Sequence, residues 1–286
     1  MSYEPSQAEW RRFRRTLARL RPTAEAYQQY REDVHEYLLF HRWQRPKLRV
    51  NGKAGTATRL MMRRSELFEQ DYLVVCMDSE WFQTAFPTFD ALAVGEAETP
   101  FFSRPPLVII PETKARTRGV KFHSILEHEI VHVNQMLLGA FPQSEAEHGA
   151  DELLRLFFEH MRVEYEANLL QLTKWPRLYP VRLGASLDRW CAFRGYSQSL
   201  ENTLVLAAED EHFSGADVVG FLERILEELP VALRKAGMNS ALASWFRGRH
   251  IGCCASIAVS VVEQFPHLKS RESLQAAGRW IRTQLG

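Results

Sequence analysis

The chain has 286 residues, of which 45% are hydrophobic and 11% aromatic, so it can bury a substantial core as one large domain or two small ones. Lys and Arg total 36 against 35 Asp and Glu, which gives a net charge of +1 and no overall field that would attract nucleic acid or an anionic membrane. No run of about 18 apolar residues occurs, and the charged N-terminus lacks the apolar segment of a secretory signal. These features predict a soluble, cytoplasmic protein without a membrane span.

The four cysteines are not arranged as a metal or disulfide framework. Cys253 and Cys254 are adjacent, Cys76 and Cys191 stand alone, and no CxxC spacing occurs. Paired CxxC motifs are the usual signature of cysteine zinc sites. The cysteines are therefore predicted to be reduced thiols, most of them in the core.

The N-terminal segment has the pattern of two helices. Apolar residues recur every three or four positions from residue 7 to residue 43, with a break near Pro22. The first helix carries six arginines, which we assign to its exposed face because no set of aromatic residues for base stacking accompanies them. Nucleic acid is therefore not expected as a partner. The arginines are Arg11, Arg12, Arg14, Arg15, Arg19 and Arg21.

The rest of the chain divides into a short β region and a long helical region. Between residues 47 and 110 the runs "KLRVNGK", "TATRLMM", "DYLVVCM" and "PLVII" are typical of strands. After Gly119 the helical period returns, and "KWPRLYPVRLG" interrupts it at residues 174–184. We predict an α+β fold, mainly helical, with an N-terminal helical segment over 1–45, a core with a small mixed sheet over 46–176, and a C-terminal helical bundle over 177–286.

The stretch "ILEHEIVHVNQ" carries the strongest chemical signal. His128 and His132 are four residues apart, so on a helix both imidazoles project from one face and can bind a single ion. Glu129 lies about 100° round the helix, near the ion but not on it. This is the HExxH pattern of two zinc ligands and a carboxylate that accepts a proton from water.

The surroundings of the motif favour a metal site. Apolar residues provide a packed helix that ends at Gly139 and Pro142, and the strand-like "PLVIIP" lies just upstream. Gln135 and Leu138 replace the Gly and His of the metzincin pattern, which excludes that branch. The competing interpretation is an ordinary amphipathic helix with polar histidines and a solvated Glu129.

A catalytic zinc site needs a third protein ligand, and the following helical segment offers two glutamates. At 100° per residue, residues such as Phe157 and Met161 lie on one apolar arc, and Glu164 falls within this arc beside Phe157 and Asn168. Glu166 projects towards the opposite side of the helix. A carboxylate within an apolar arc is costly unless it is paired or bound to metal. Glu164 is the predicted third ligand, and Glu166 is the alternative if the helix is rotated.

The motif "HEIVH" followed by "RVEYEAN" resembles the gluzincin group of zinc metallopeptidases, in which a downstream ExxxD or ExxAD/N pattern supplies the third ligand. The ExxAD-type peptidases and the small ImmA-like proteases are the most similar in pattern. The resemblance covers residues 107–172 and implies a zincin-like core, with Asn168 orienting a ligand histidine. Asn168 replaces the more frequent Asp, and the transmembrane segments of many ExxAD-type peptidases are missing.

The predicted function is that of a zinc metallopeptidase, a hydrolase in which Glu129 activates a zinc-bound water to cleave a peptide bond in a protein or peptide substrate. Tyr179, His212 and His250 are possible donors to the developing oxyanion. The alternative is a non-catalytic protein that uses zinc for stability in a regulatory or protein-binding module. The sequence makes no prediction of oligomeric state.

Overall fold

The computed structural model describes residues 3–42, 45–50, 53–86, 89–95, 105–117, 119–142, 149–179, 186–209 and 213–235. Within these ranges the chain forms seven α-helices, five β-strands and two single turns of 3-10 helix. This composition confirms the predicted α+β class. None of the described helices is long and apolar enough to cross a bilayer.

The two predicted N-terminal helices are present as α1 (Gln7–Arg19) and α2 (Ala24–Phe40). Ser6 and Glu9 form a reciprocal capping box at the start of α1, which satisfies two backbone N–H groups that the helix leaves unbonded. Thr23 accepts a hydrogen bond from the Ala26 N–H at the start of α2. These caps fix the two helix starts on either side of Pro22.

The predicted sheet is a five-stranded mixed sheet with the spatial order β1-β2-β3-β5-β4. β3 and β5 pair in parallel at its centre, and the other neighbours pair antiparallel. Both parallel strands are continuous apolar runs that are almost fully buried, as expected for strands covered on both faces. The strands are β1 (Lys47–Val50), β2 (Lys53–Arg64), β3 (Asp71–Met77), β4 (Leu92–Val94) and β5 (Leu107–Pro111).

Two elements between β3 and β5 were not predicted. The short helix α3 (Ser79–Ala85) is capped by Asp78, whose side chain accepts a hydrogen bond from the Trp81 N–H. The edge strand β4 has three residues and pairs antiparallel with β5. Neither element is long enough to show a helical or alternating period.

Four longer helices follow the sheet: α4 (Val120–Leu137), α5 (Ala150–Lys174), α6 (Leu187–Glu209) and α7 (Gly215–Lys235). The 3-10 turns are Glu112–Lys114 and Pro176–Leu178. α4 ends as predicted before Gly139, whose φ of 62° is accessible to glycine at little cost. The part of the predicted C-terminal bundle beyond residue 235 lies outside the described residues.

Contacts between Cα atoms divide the chain into two compact units, and the division falls inside α5. One unit contains Glu4–Phe141 and Glu166–Leu178, and its core consists of the sheet, α1, α2, α4 and the end of α5. The other contains Pro142–Tyr165 and the described residues from Tyr179 onward, with a core from the start of α5, α6 and α7. The three-part division of the sequence at residues 45 and 176 stays a prediction.

Candidate metal centre

Helix α4 is buried along the whole length of the motif. Every residue from Leu126 to Gln135 is buried, and six of these ten are polar or charged. Buried polar groups are costly unless they form hydrogen bonds or bind metal, so each needs a partner. Glu129 is 9% exposed and is therefore not the solvated charge that the competing interpretation of HEIVH required.

Two of the buried polar residues of α4, Glu127 and Asn134, form hydrogen bonds to the sheet and to the turn after β2. Glu127 accepts hydrogen bonds from the Ser65 hydroxyl at 2.6 Å and the Glu66 N–H at 2.7 Å, just after β2. Burial raises the pKa of Glu127, and these hydrogen bonds oppose that rise. Asn134 accepts a 2.7 Å hydrogen bond from the Tyr72 hydroxyl on β3. Both residues have structural partners that the sequence did not indicate.

The predicted ligands form one buried cluster. His128, His132 and Glu164 each offer a ligand atom, and these atoms all lie within 4.8 Å of one another. The two imidazole Nε2 atoms are 3.2 Å apart. The side chains are only 4 to 5% exposed. The structure thus brings together two histidines of α4 and one glutamate of α5, and this group could hold a metal ion.

The donor set and its spacing fit zinc. Two imidazole nitrogens bound to one tetrahedral zinc at roughly 2.0–2.1 Å would lie about 3.3 Å apart, close to the observed 3.2 Å. Two neutral imidazoles and one carboxylate are also a donor set that zinc commonly binds. The three residues therefore match the ligand types and the separation of the two nitrogens in a zinc site.

The position of Glu164 follows from the packing of α5 on α4. Gln135 donates a 3.0 Å hydrogen bond to Glu166, and Gln171 donates a 3.0 Å hydrogen bond to the Ser124 carbonyl. These two contacts hold the last part of α5 on α4. Glu164 lies two residues before Glu166 on the same uninterrupted helix. The helix thereby carries its carboxylate to the two histidines.

Glu164 is also oriented by α6. Asn202 donates a 2.9 Å hydrogen bond from Nδ2 to Glu164 Oε1, which favours ligation through the other carboxylate oxygen. Helices α5 and α6 approach closely at Gly195, where an added Cβ would lie 3.1 Å from the backbone nitrogen of Tyr165. No pattern in the sequence indicated Asn202, because this contact joins residues 38 positions apart.

Glu129 directly follows His128 on α4 and is not a member of the cluster. Its Oε2 accepts a 2.9 Å hydrogen bond from the Ala93 N–H on the edge strand β4. The residue is 9% exposed, more than either histidine. Its catalytic role stays a prediction.

Glu166, the alternative third ligand, is not a member of the cluster of His128, His132 and Glu164. It is buried, although helical phase predicted that it would point away from the apolar arc. The prediction of a single buried arc is wrong here, because α5 is buried on nearly all sides from Val163 to Thr173. Glu166 instead bonds to Gln135 and, at 2.6 Å, to Arg19 of α1.

Four further residues had predicted roles at the site: Asn168, Tyr179, His212 and His250. Asn168 is fully buried on α5, and its role in orienting a histidine stays a prediction. Tyr179 is buried with its ring against Trp190, and its role as an oxyanion donor stays a prediction. The other two possible oxyanion donors, His212 and His250, lie outside the described residues.

Comparisons with protein-family models, with curated proteins and with solved structures find no match to this chain. Only the geometry of the cluster and the chemistry of its residues therefore point to a function.

Proposed function

We propose that the protein is a zinc metallopeptidase of the gluzincin type, with His128, His132 and Glu164 as ligands and Glu129 as general base. The observation that carries this proposal is the buried cluster of these three ligands on α4 and α5, with Glu129 adjacent to His128. The substrate class is a protein or peptide.

The number of ligands supports a catalytic site. Structural zinc sites in proteins almost always have four protein ligands, whereas catalytic sites have three and leave one position for water or substrate. In the part of the chain that the structure describes, the cluster has three members. The combination of two histidines and one glutamate is the set that zinc peptidases of this kind use.

The residues divide the chemistry between them. A bound zinc ion supplies a Lewis acid that polarises a substrate carbonyl and makes water more acidic. Glu129 accepts the proton from the attacking water and passes it to the leaving amine. The Ala93 N–H keeps the Glu129 carboxylate in place through one oxygen. Asn202 and Gln135 hold Glu164 and His132 in their ligating orientations.

The alternative remains a non-catalytic module that zinc stabilises. Both proposals need the same ligands, but only an enzyme needs the carboxylate of Glu129. Glu129→Gln preserves the size of the side chain and an oxygen for the Ala93 N–H, so it removes the base with little other change. The variant therefore separates the two functions.

The experiment compares wild type, Glu129→Gln and His128→Ala for zinc content by elemental mass spectrometry and for hydrolysis of unfolded casein and a peptide library. We expect one zinc per chain in wild type and Glu129→Gln, loss of zinc in His128→Ala, and hydrolysis by wild type alone. One zinc per chain with no hydrolysis by wild type would favour the zinc-stabilised module. Absence of zinc from wild type after zinc is supplied would overturn both proposals.

A further inference from the structure

A line of hydrogen bonds and one ion pair connects the surface of α1 to the ligand His132. His132 Nδ1 lies 2.7 Å from Gln135 Oε1, Gln135 Nε2 lies 3.0 Å from Glu166 Oε2, and Glu166 Oε1 lies 2.6 Å from the Arg19 guanidinium. The Arg19 side chain is 52% exposed, while the other three residues are buried. We name these four residues the Gln135 network.

Glu166 determines which way the Gln135 amide faces. The two ends of a glutamine amide are nearly identical in shape, so an isolated amide can turn over. An ionised carboxylate only accepts hydrogen bonds, and therefore Gln135 must direct its NH2 group to Glu166. The Gln135 oxygen is then the atom that faces His132 Nδ1.

The orientation of Gln135 in turn determines the tautomer of His132. An amide oxygen is an acceptor, so His132 Nδ1 must carry the proton and the Nε2 atom presents its lone pair. His132 Nε2 is the atom that faces His128, and through it His132 contributes to the cluster. In the zinc-free protein His128 then donates the 3.2 Å hydrogen bond between the two rings.

We propose that Arg19, Glu166 and Gln135 are positioning residues that hold His132 in the Nδ1–H tautomer with its Nε2 lone pair directed at the metal. This inference rests on the proposed metal site, and it assigns Glu166 a role other than that of a ligand. Arg19 places a positive charge at the outer oxygen of Glu166, which holds the carboxylate over Gln135. The first helix of the chain is thereby part of the metal centre.

The size of the effect should decrease along the network. Groups that orient a metal ligand commonly change metal affinity by about 10- to 100-fold when they are replaced. Glu166→Gln keeps the shape of the side chain but lets either end of the Gln135 amide face His132, so we expect zinc affinity to fall about tenfold. Arg19→Gln removes an exposed charge that is three contacts from His132, and we expect zinc affinity to fall about threefold.

The first experiment measures zinc affinity by chelator competition in wild type, Glu166→Gln, Arg19→Gln, Arg19→Lys and Arg15→Gln. Arg15 lies one turn before Arg19 on the exposed face of α1, so Arg15→Gln is the matched control for charge and should bind zinc as wild type does. Arg19→Lys should recover most of the affinity. Equal affinity in all five proteins would overturn the network while leaving the metal site intact.

The second experiment records the tautomer directly in the zinc-free protein by long-range 1H–15N correlation of the histidine rings. We expect the Nδ1–H form of His132 in wild type and Arg15→Gln, and a mixture of tautomers in Glu166→Gln. An Nε2–H form in wild type would overturn the proposal. Because this measurement needs no zinc, it tests the network even if the wild-type chain binds no metal and the proposed function fails.

Discussion

Asn202 on α6 donates its side-chain amide to Oε1 of Glu164 on α5 at 2.9 Å. A glutamate side chain has three rotatable bonds, and its carboxylate loses entropy when it is held in one position for a metal. The amide of Asn202 restricts the carboxylate before the metal arrives. The proposed third ligand therefore has its own partner, as His132 has Gln135.

Asn202→Ala should weaken zinc binding without removing it. Loss of the hydrogen bond leaves Glu164 free to sample other rotamers, and we expect zinc affinity to fall by about tenfold. Chelator competition measures the change. Gln29→Ala removes an amide from the exposed face of α2, where it bonds within the helix to Asp33, and it should leave zinc affinity unchanged. Equal affinity in both variants would mean that Asn202 does not orient the ligand.

Zinc should stabilise the fold by mass action, because the three ligands are assembled in the native state and scattered in the unfolded chain. At a free zinc concentration about 1,000 times Kd, the gain in the free energy of unfolding is about 4 kcal/mol. For a chain of this length that corresponds to a rise in Tm of about 7 °C. Calorimetry with and without a chelator measures it. His128→Ala should melt at the same temperature in both conditions, and a chelator effect of equal size in that variant would argue against the site.

The sequence predicted the parts of the site that depend on local geometry. His128, Glu129 and His132 belong to one helix, where a spacing of four residues fixes a common face. Glu164 was identified by the phase of α5. For Glu166 the helical phase predicted exposure, but the residue is buried, because the buried residues of this part of α5 do not form a single arc.

The contacts that complete the site join residues that are far apart in the chain. Glu166 lies 31 positions after Gln135, and Ala93 lies 36 positions before Glu129. Such pairs leave no periodic pattern in a single sequence. Gln135 alone offered a signal, because it stands three residues after His132 and therefore lies near the same face of α4. The strand β4, with three residues, was too short to predict.

Glu127→Ala should destabilise the protein through the turn after β2. The change leaves the buried Ser65 hydroxyl and the Glu66 N–H without their acceptor, which should cost about 2–3 kcal/mol in the free energy of unfolding. Glu127→Gln keeps one acceptor oxygen for either the Glu66 N–H or the Ser65 hydroxyl, so its cost should be smaller, about 1 kcal/mol. Urea unfolding of the two variants measures the difference, and equal stability would show that these hydrogen bonds contribute little.

Cys76 should be chemically inert in the native protein. It is fully buried on β3, and burial raises the pKa of its thiol to about 11. Because the thiolate is the reactive form, less than about one thiol in a hundred is ionised at pH 8, and iodoacetamide cannot reach it. Peptide mass spectrometry after alkylation at pH 8 should find Cys76 unmodified in the native protein and fully modified after unfolding in guanidinium. Equal rates of modification in the two states would show that strand β3 opens readily, which its position at the centre of the sheet should prevent.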